Sequence, residues 1–245
     1  MPDRTTDGGR KQDCMICGRP LVYERTGRER VCAVCGGRFW AHEECENGHY
    51  VCDACHSAAG EDVLDLLCSS TEKSPSTLME TLWKRSDIHL FGPEHHWLVP
   101  CVLLVCYRNC GGKLPEDAVL TAFRRGRKVV GGSCGYWGAC GAAIGLGIYF
   151  SILLGATPVN SEVWRIPQRI TAECLEAIAS LGGARCCKRT CRLAVDTAVK
   201  YTAENFGIEL PVSWSPCGYA MRNSICLRKK CPYYIKSEVK RGIYD

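Results

Sequence analysis

Chemistry in this chain starts from its thiols. Twenty of 245 residues are cysteine, and the first of them fall into a regular pattern. "CMIC" (Cys14, Cys17) is followed after fourteen residues by "CAVC" (Cys32, Cys35), then "FWAHEEC" (His42, Cys45) and "CDAC" (Cys52, Cys55). In a C-x-x-C knuckle two sulfurs converge on one metal ion, and four thiolate or imidazole donors close a tetrahedral zinc site. Eight donors therefore suffice for two zinc ions. Fewer than 60 residues bury too little apolar surface to fold easily alone, so metal binding is expected to supply much of the folding energy. No donor set has an evident open position, which favours a structural or docking module over a catalytic zinc.

The pair order resembles the cross-brace fingers of the PHD and RING kind, and the aromatic pair Phe39 and Trp40 before the histidine strengthens the likeness. The resemblance implies that Cys14, Cys17, His42 and Cys45 hold one zinc, and Cys32, Cys35, Cys52 and Cys55 the other. Only six residues separate Cys45 from Cys52, shorter than those families normally have. A sequential pairing therefore stays open, as does replacement of His42 by His49 or His56. Between the first two knuckles the run "GRPLVYERTGRERV" reads as a short hairpin turning at Thr26-Gly27.

A second set of reactive residues lies beyond residue 68. Cys134 and Cys140 sit in "GGSCGYWGACGAAIG" and Cys186, Cys187 and Cys191 in "GGARCCKRTCR". Cys187 and Cys191, four apart, share one helix face. A helix N-terminus flanked by Arg185, Lys188 and Arg189 is expected to lower the pKa of Cys186 and Cys187. The adjacent His95 and His96 would serve as ligand or base to these thiols. His95, His96, Cys134, Cys140, Cys186, Cys187 and Cys191 thus form the candidate catalytic set. Cys217, Cys226 and Cys231 in "SPCGYAMRNSICLRKKCPYY" form a candidate cofactor set. Its terminal Cys-Pro is a feature of many iron–sulfur ligand runs, although the spacing is not that of ferredoxins. Cys101, Cys106 and Cys174 lie on apolar faces and read as core residues.

These groups need a scaffold, and the pattern beyond residue 77 is helical. Helices are expected in "STLMETLWKR", "GPEHHWLVPCVLLVCYRN" with a kink or restart at Pro100, "LPEDAVLTAFRRGRK", "IPQRITAECLEAIASLGG" and "ARCCKRTCRLAVDTAVKYTAENFG". The expected fold is a small zinc-binding module over residues 1–68, a linker over 69–77 around "CSSTEKSPST", and an all-α cysteine-rich domain over 78–245 built around a glycine-rich helix. Residues 131–161 are uncharged and follow "RRGRK", which meets the simple criteria for a membrane span. Glycines crowd the first half, however, and the strongly apolar part, "IGLGIYFSILLGA", is short for a span. A buried central helix packed closely by neighbours is the favoured reading. The N-terminus "MPDRTTDGGRKQD" has no apolar signal region, so reduced thiols and a cytoplasmic location are expected.

Charge divides unevenly. Residues 1–68 carry 8 Lys/Arg against 12 Asp/Glu, and residues 69–245 carry 23 against 14. A basic body would suit RNA or an anionic cofactor, or simply be a solvated face. No P-loop, Rossmann fingerprint or serine-nucleophile elbow is found, so nucleotide hydrolysis and dinucleotide oxidoreduction have no support. "HHWLVPCVLL", "GGSCGYWGACGAAIGLGIYFSILLGATP" and "GGARCCKRTCRLAV" resemble an uncharacterised domain of methanogenic archaea and anaerobic bacteria, found with methyltransferases or radical-SAM proteins. More distantly, Cys140, Gly141, Ala142 and Gly145, with Cys187 and Cys191, resemble redox-active proteins named for a C-GCAxxG-C-C motif, although "ACGAAIG" departs from its first letters. The resemblance implies a soluble helical domain that uses its cysteines.

Three functions follow as expectations. The first is a metal-binding protein with two zinc ions in a head that docks a protein partner, and thiol-redox chemistry, an iron–sulfur cluster or another metal in the body. The second is a sulfur- or methyl-transfer factor in RNA or cofactor modification. The third is an adaptor whose body cysteines are inert.

Overall fold

A computed structural model describes residues 14–58 and 60–234. The head is a two-stranded antiparallel hairpin of β1 (Leu21–Val31) and β2 (Arg38–Cys45), followed by a single-turn helix α1 (Asp53–His56). The hairpin turns at the second knuckle, Cys32–Cys35 with Gly36 at φ +71°, and not at Thr26-Gly27. The two strands leave either side of the knuckle, so β1 runs straight through Thr26-Gly27, where its register slips between Tyr23 and Arg28. Apart from Ala41, Tyr50 and the cysteines themselves, this hairpin has almost no buried apolar side chains.

The body is a helical assembly. In order come α2 (Gly60–Ser69), α3 (Pro75–Leu82), α4 (Glu94–Asn109), α5 (Ala118–Gly126), α6 (Ser133–Tyr136), α7 (Gly141–Leu153), α8 (Ser161–Leu181) and α9 (Cys187–Phe206), then two 3₁₀ turns. Val63 and Leu67 of α2 are fully buried in the helical core. The core therefore begins inside the stretch expected to belong to the head, and the irregular part of the 69–77 segment is confined to residues 70–74. Ser74 caps α3 through its side chain, which accepts from the Thr77 N–H, with Pro75 in the first turn.

Helix α4 is the axis of the body: every residue from Glu94 to Tyr107 is buried. It runs unbroken through Pro100, where a kink or restart was expected. The glycine-rich α7 lies against it. A Cβ placed on Gly145 would fall 2.7 Å from the His96 carbonyl oxygen and 3.0 Å from Pro100 Cδ, so glycine there sets how closely the two helices approach. At 13 residues α7 spans about 20 Å, short of the roughly 30 Å hydrocarbon core of a bilayer. Among the described residues no helix is long and apolar enough to cross a membrane. Tyr149, Phe150 and Leu146 of α7 are fully buried among α4, α5, α8 and α9. Helix α9 ends at Gly207, whose positive φ of +64° closes it.

Candidate metal centres

The head brings its donors into two interleaved groups. Cys14, Cys17, Cys45 and His49 form one, and Cys32, Cys35, Cys52 and Cys55 the other. The first and third donor pairs meet, and so do the second and fourth. In the first group the Cys17 and Cys45 sulfurs are 3.7 Å apart. His49 Nδ1 stands 3.4 Å from Cys17 Sγ, 3.5 Å from Cys45 Sγ and 3.9 Å from Cys14 Sγ. In the second, Cys35 and Cys52 sulfurs are 4.0 Å apart. A tetrahedral ion with metal–sulfur bonds of 2.3 Å and metal–nitrogen bonds near 2.05 Å places its donors about 3.8 Å (S to S) and about 3.6 Å (S to N) apart. The observed spacings fit one ion per group. His42 is not among these donors. Its Nδ1 lies 3.3 Å from the Glu24 carbonyl oxygen and its ring packs at a tilt against Tyr136. The reason is geometric: His42 lies within strand β2, whereas His49 follows the Gly48 turn (φ +77°) that folds the chain back over Cys45.

Backbone N–H groups point at these sulfurs, as a thiolate requires. Ile16 N donates to Cys14 Sγ at 3.4 Å, His49 N to Cys45 Sγ at 3.3 Å, and Cys52 N to Cys32 Sγ at 3.4 Å. The Arg19 N–H, followed by His49, draws the Cys17 thiol down to about 6. At Cys32 burial opposes the charge, yet N–H groups of Cys52, Cys35 and Val34 still bring it to about 6. Both thiols are therefore poised as anionic ligands.

The body does not gather its seven candidate residues into one site. His96, Cys134 and Cys187 line a cleft of about 100 Å³ between head and body, together with Tyr23, Asp53, His56 and Arg185. His96 Nδ1 donates to the Val129 carbonyl at 2.8 Å, and burial holds the ring neutral. His95 and Cys191 are sealed in the interior instead. His95 Nε2 accepts from the buried Lys188 ammonium at 3.0 Å, which also donates to the His89 carbonyl at 2.9 Å. Cys140 packs half-buried on the core. The expected acidic shift at the start of α9 is reversed. Burial raises the Cys186 thiol and pushes Cys187 up to about 12, outweighing Arg189 at the first and Arg185 at the second.

Cys186 belongs elsewhere. With Cys217, Cys226 and Cys231 it lines a small cavity whose other walls include Lys188, Arg189, Arg192, Asn223 and Tyr233. Helix α9 supplies the cations, and the chain after residue 216 folds back to bring the other three sulfurs. Cys217 N–H pairs with the Tyr233 carbonyl at 2.8 Å, closing this loop. Unlike the head groups, no three of these sulfurs lie within 4.8 Å of one another. The surroundings are strongly positive. Lys188, Arg189 and Arg192 are each at most 5% exposed. Arg192 pairs with Glu80 at 3.1 Å, while Arg189 bonds to the Gly182 and Ala184 carbonyls and, among the described residues, to no carboxylate. N–H groups again face sulfur: Arg228 N to Cys226 at 3.3 Å and Asn223 Nδ2 to Cys186 at 3.6 Å.

The His49 ligand carries a signal the sequence does offer, the C-x₃-H spacing from Cys45. Nothing in local spacing announces that Cys186 joins sulfurs thirty to forty-five residues away. A family model described as a family of unknown function, DUF5714, matches residues 63–234, and the chain belongs to that family. No curated protein and no solved structure matches the chain.

Proposed function

From membership of a family without an assigned activity, we propose that this chain is an iron–sulfur protein whose head is fastened by two zinc ions. The observation that carries the reading is the cysteine quartet Cys186, Cys217, Cys226 and Cys231 in a pocket walled by buried cations. A [4Fe–4S] centre takes four thiolates, set farther apart than the donors of a single tetrahedral ion. A centre with four thiolates is anionic, and burying an anion is costly unless cations and N–H donors compensate it. Arg189 provides the charge, with Lys188 beside it and Arg192 shared with Glu80, and the Arg228 and Asn223 N–H groups provide bonds to sulfur. The terminal Cys231-Pro232 agrees with the habit of such ligand runs. When bound, such a cluster supplies one-electron transfer, its potential set by hydrogen bonds to sulfur and by local charge. In that role Arg189 stabilises the thiolates, and Asn223 fixes the Cys186 sulfur.

The head is the docking element in this reading. Trp40 and Trp137 are 71% and 64% exposed, and with Phe39 and Tyr136 they border one groove between β2 and α6. A patch of this composition suits a protein partner.

Protein purified without oxygen should contain two zinc in the head and, in the body, about four iron with four acid-labile sulfide, with the broad visible absorption of a cubane cluster. Serine at Cys217 or Cys226 should remove the iron and sulfide and leave the zinc. Wild-type protein free of iron and sulfide after reconstitution would overturn the reading.

A further inference from the structure

A third group of donors lies in neither cysteine centre. His56 ends α1, His89 stands in the loop before α4, and Glu94 is the first residue of α4. Three segments thus meet at one carboxylate. His56 Nδ1 is 3.1 Å from Glu94 Oε2 and His89 Nδ1 is 3.4 Å from Glu94 Oε1. One donor atom from each residue falls within 4.8 Å of the others. Glu94 is 1% exposed, and its Oε1 is held by the His89 backbone N–H at 2.8 Å.

The separations alone would suit a carboxylate hydrogen-bonded to two imidazoles. The directions do not. His56 Nδ1, His89 Nδ1 and Glu94 Oε2 are all buried and none makes an aligned hydrogen bond. His56 Nδ1 and Glu94 Oε2 nonetheless face each other as an ion pair, and against burial both imidazoles help hold the carboxyl well below its usual range. Buried polar atoms are nearly always partnered, and a bound cation would accept lone pairs from all three of these convergent, poorly aligned atoms. The loop is shaped to leave that space. A Cβ on Gly92 would stand 2.0 Å from Glu94 Oε2 and 2.5 Å from the His56 ring.

We propose that His56, His89 and Glu94 bind a divalent transition-metal ion, zinc or iron(II), in a two-histidine, one-carboxylate site at the seam of head and body. The donor set is that of centres with three protein ligands and room for a further one. It differs in kind from the sulfur-closed head groups. His56 also borders the cleft that holds His96, Cys134, Cys187 and Arg185. A small molecule entering the cleft would therefore find this ion at its wall and the Arg185 guanidinium, stacked between Tyr23 and Phe91 at 4.8 and 4.9 Å, as a fixed positive charge. An anionic ligand, a carboxylate or phosphate, fits that pair of charges best.

The test is metal stoichiometry on the full chain, with iron of the cluster counted separately through its sulfide. Protein with its cluster left in place, so that Cys186, Cys217, Cys226 and Cys231 take up no cobalt, has its other metal sites exchanged with Co²⁺, followed by the cobalt difference spectrum and by equilibrium dialysis. The wild type should bind three cobalt ions. Two should give the intense thiolate-to-cobalt bands of sulfur sites, and one only the weak bands of a nitrogen and oxygen site. His89→Ala and Glu94→Gln should each bind two, lose the weak component, and keep the thiolate bands and the wild-type circular dichroism. Because His89 is remote in sequence from every cysteine donor, loss of the thiolate bands in that variant would mark misfolding, and Glu94→Gln then decides. Wild-type protein that saturates at two ions, or variants that still bind three, would overturn the proposal.

Discussion

The two ends of the chain use cysteine quartets in opposite ways. In the head, eight donors come from 42 consecutive residues, as four local pairs, and stand 3.4 to 4.0 Å apart wherever two are in contact. In the body, Cys186 comes from the cap of α9 and the other three from a tail wrapped back over it, and their sulfurs stand farther apart. The head has almost no hydrophobic core apart from its ligands, whereas the body quartet lies beside a core of some of the largest buried side chains, Trp83 among them. On the proposed reading a metal in the head would support folding, while a cofactor in the body would be held by a fold that stands without it. On that reading the same residue type is scaffold in one region and socket in the other.

That contrast can be broken, beginning with its largest consequence. Stripping the head with a strong chelator should unfold it, since structural zinc contributes on the order of 10 kcal/mol of apparent binding energy to such modules. Loss of near-ultraviolet signal and fast proteolysis within residues 14–56, with the helical signal retained, is the expected result. A head that stays protected without metal would mean its hairpin is self-sufficient.

Next in size are single ligands. His49→Ala should lose one of the two head ions and His42→Ala neither; the reverse result in metal analysis would restore His42 as the ligand. In the body, Cys226→Ser should abolish iron binding but shift the melting temperature less than any head-ligand change.

Packing effects come third. Gly145→Val adds a side chain where even a Cβ would press on the His96 carbonyl, and should cost about 1–3 kcal/mol by chemical denaturation. A neutral effect would show that α4 and α7 can part freely.

The smallest effect is one of reactivity. Burial pushes Cys174 up to about 12, so below that value it is a neutral thiol that alkylating reagents cannot reach. Exposed Cys68 should label within minutes at pH 8 in native protein, and Cys174 only after denaturation. Mass spectrometry of the labelled sites checks this.

How much of this was legible beforehand depends on range. The knuckles, the helical body and its termination at Gly207 follow from spacing and periodicity. The hairpin turn differs from the expectation because Thr26-Gly27 has turn chemistry, yet the cysteine knuckle at Cys32–Cys35 already makes the reversal. The body constellation divides for a different reason. His95, His96, Cys134, Cys140, Cys187 and Cys191 are close in pattern, but the packing of α4, α7 and α9 turns some into the core and others toward the cleft. The rise of the Cys187 thiol has the same origin, because sequence shows flanking charge but not desolvation.

The sequence by itself determined the seven cysteine donors of the head, since knuckle geometry is set by bonds a few residues long. It also determined that α7 is a helix of small and apolar residues. Only the tertiary structure decided that α7 is enclosed by four other helices, that His49 and not His42 faces the thiolates, and that Cys186 meets Cys217, Cys226 and Cys231 among buried cations. Those outcomes depend on which surfaces meet across tens of residues, where local bonding has no say and burial, close approach and charge compensation select the arrangement.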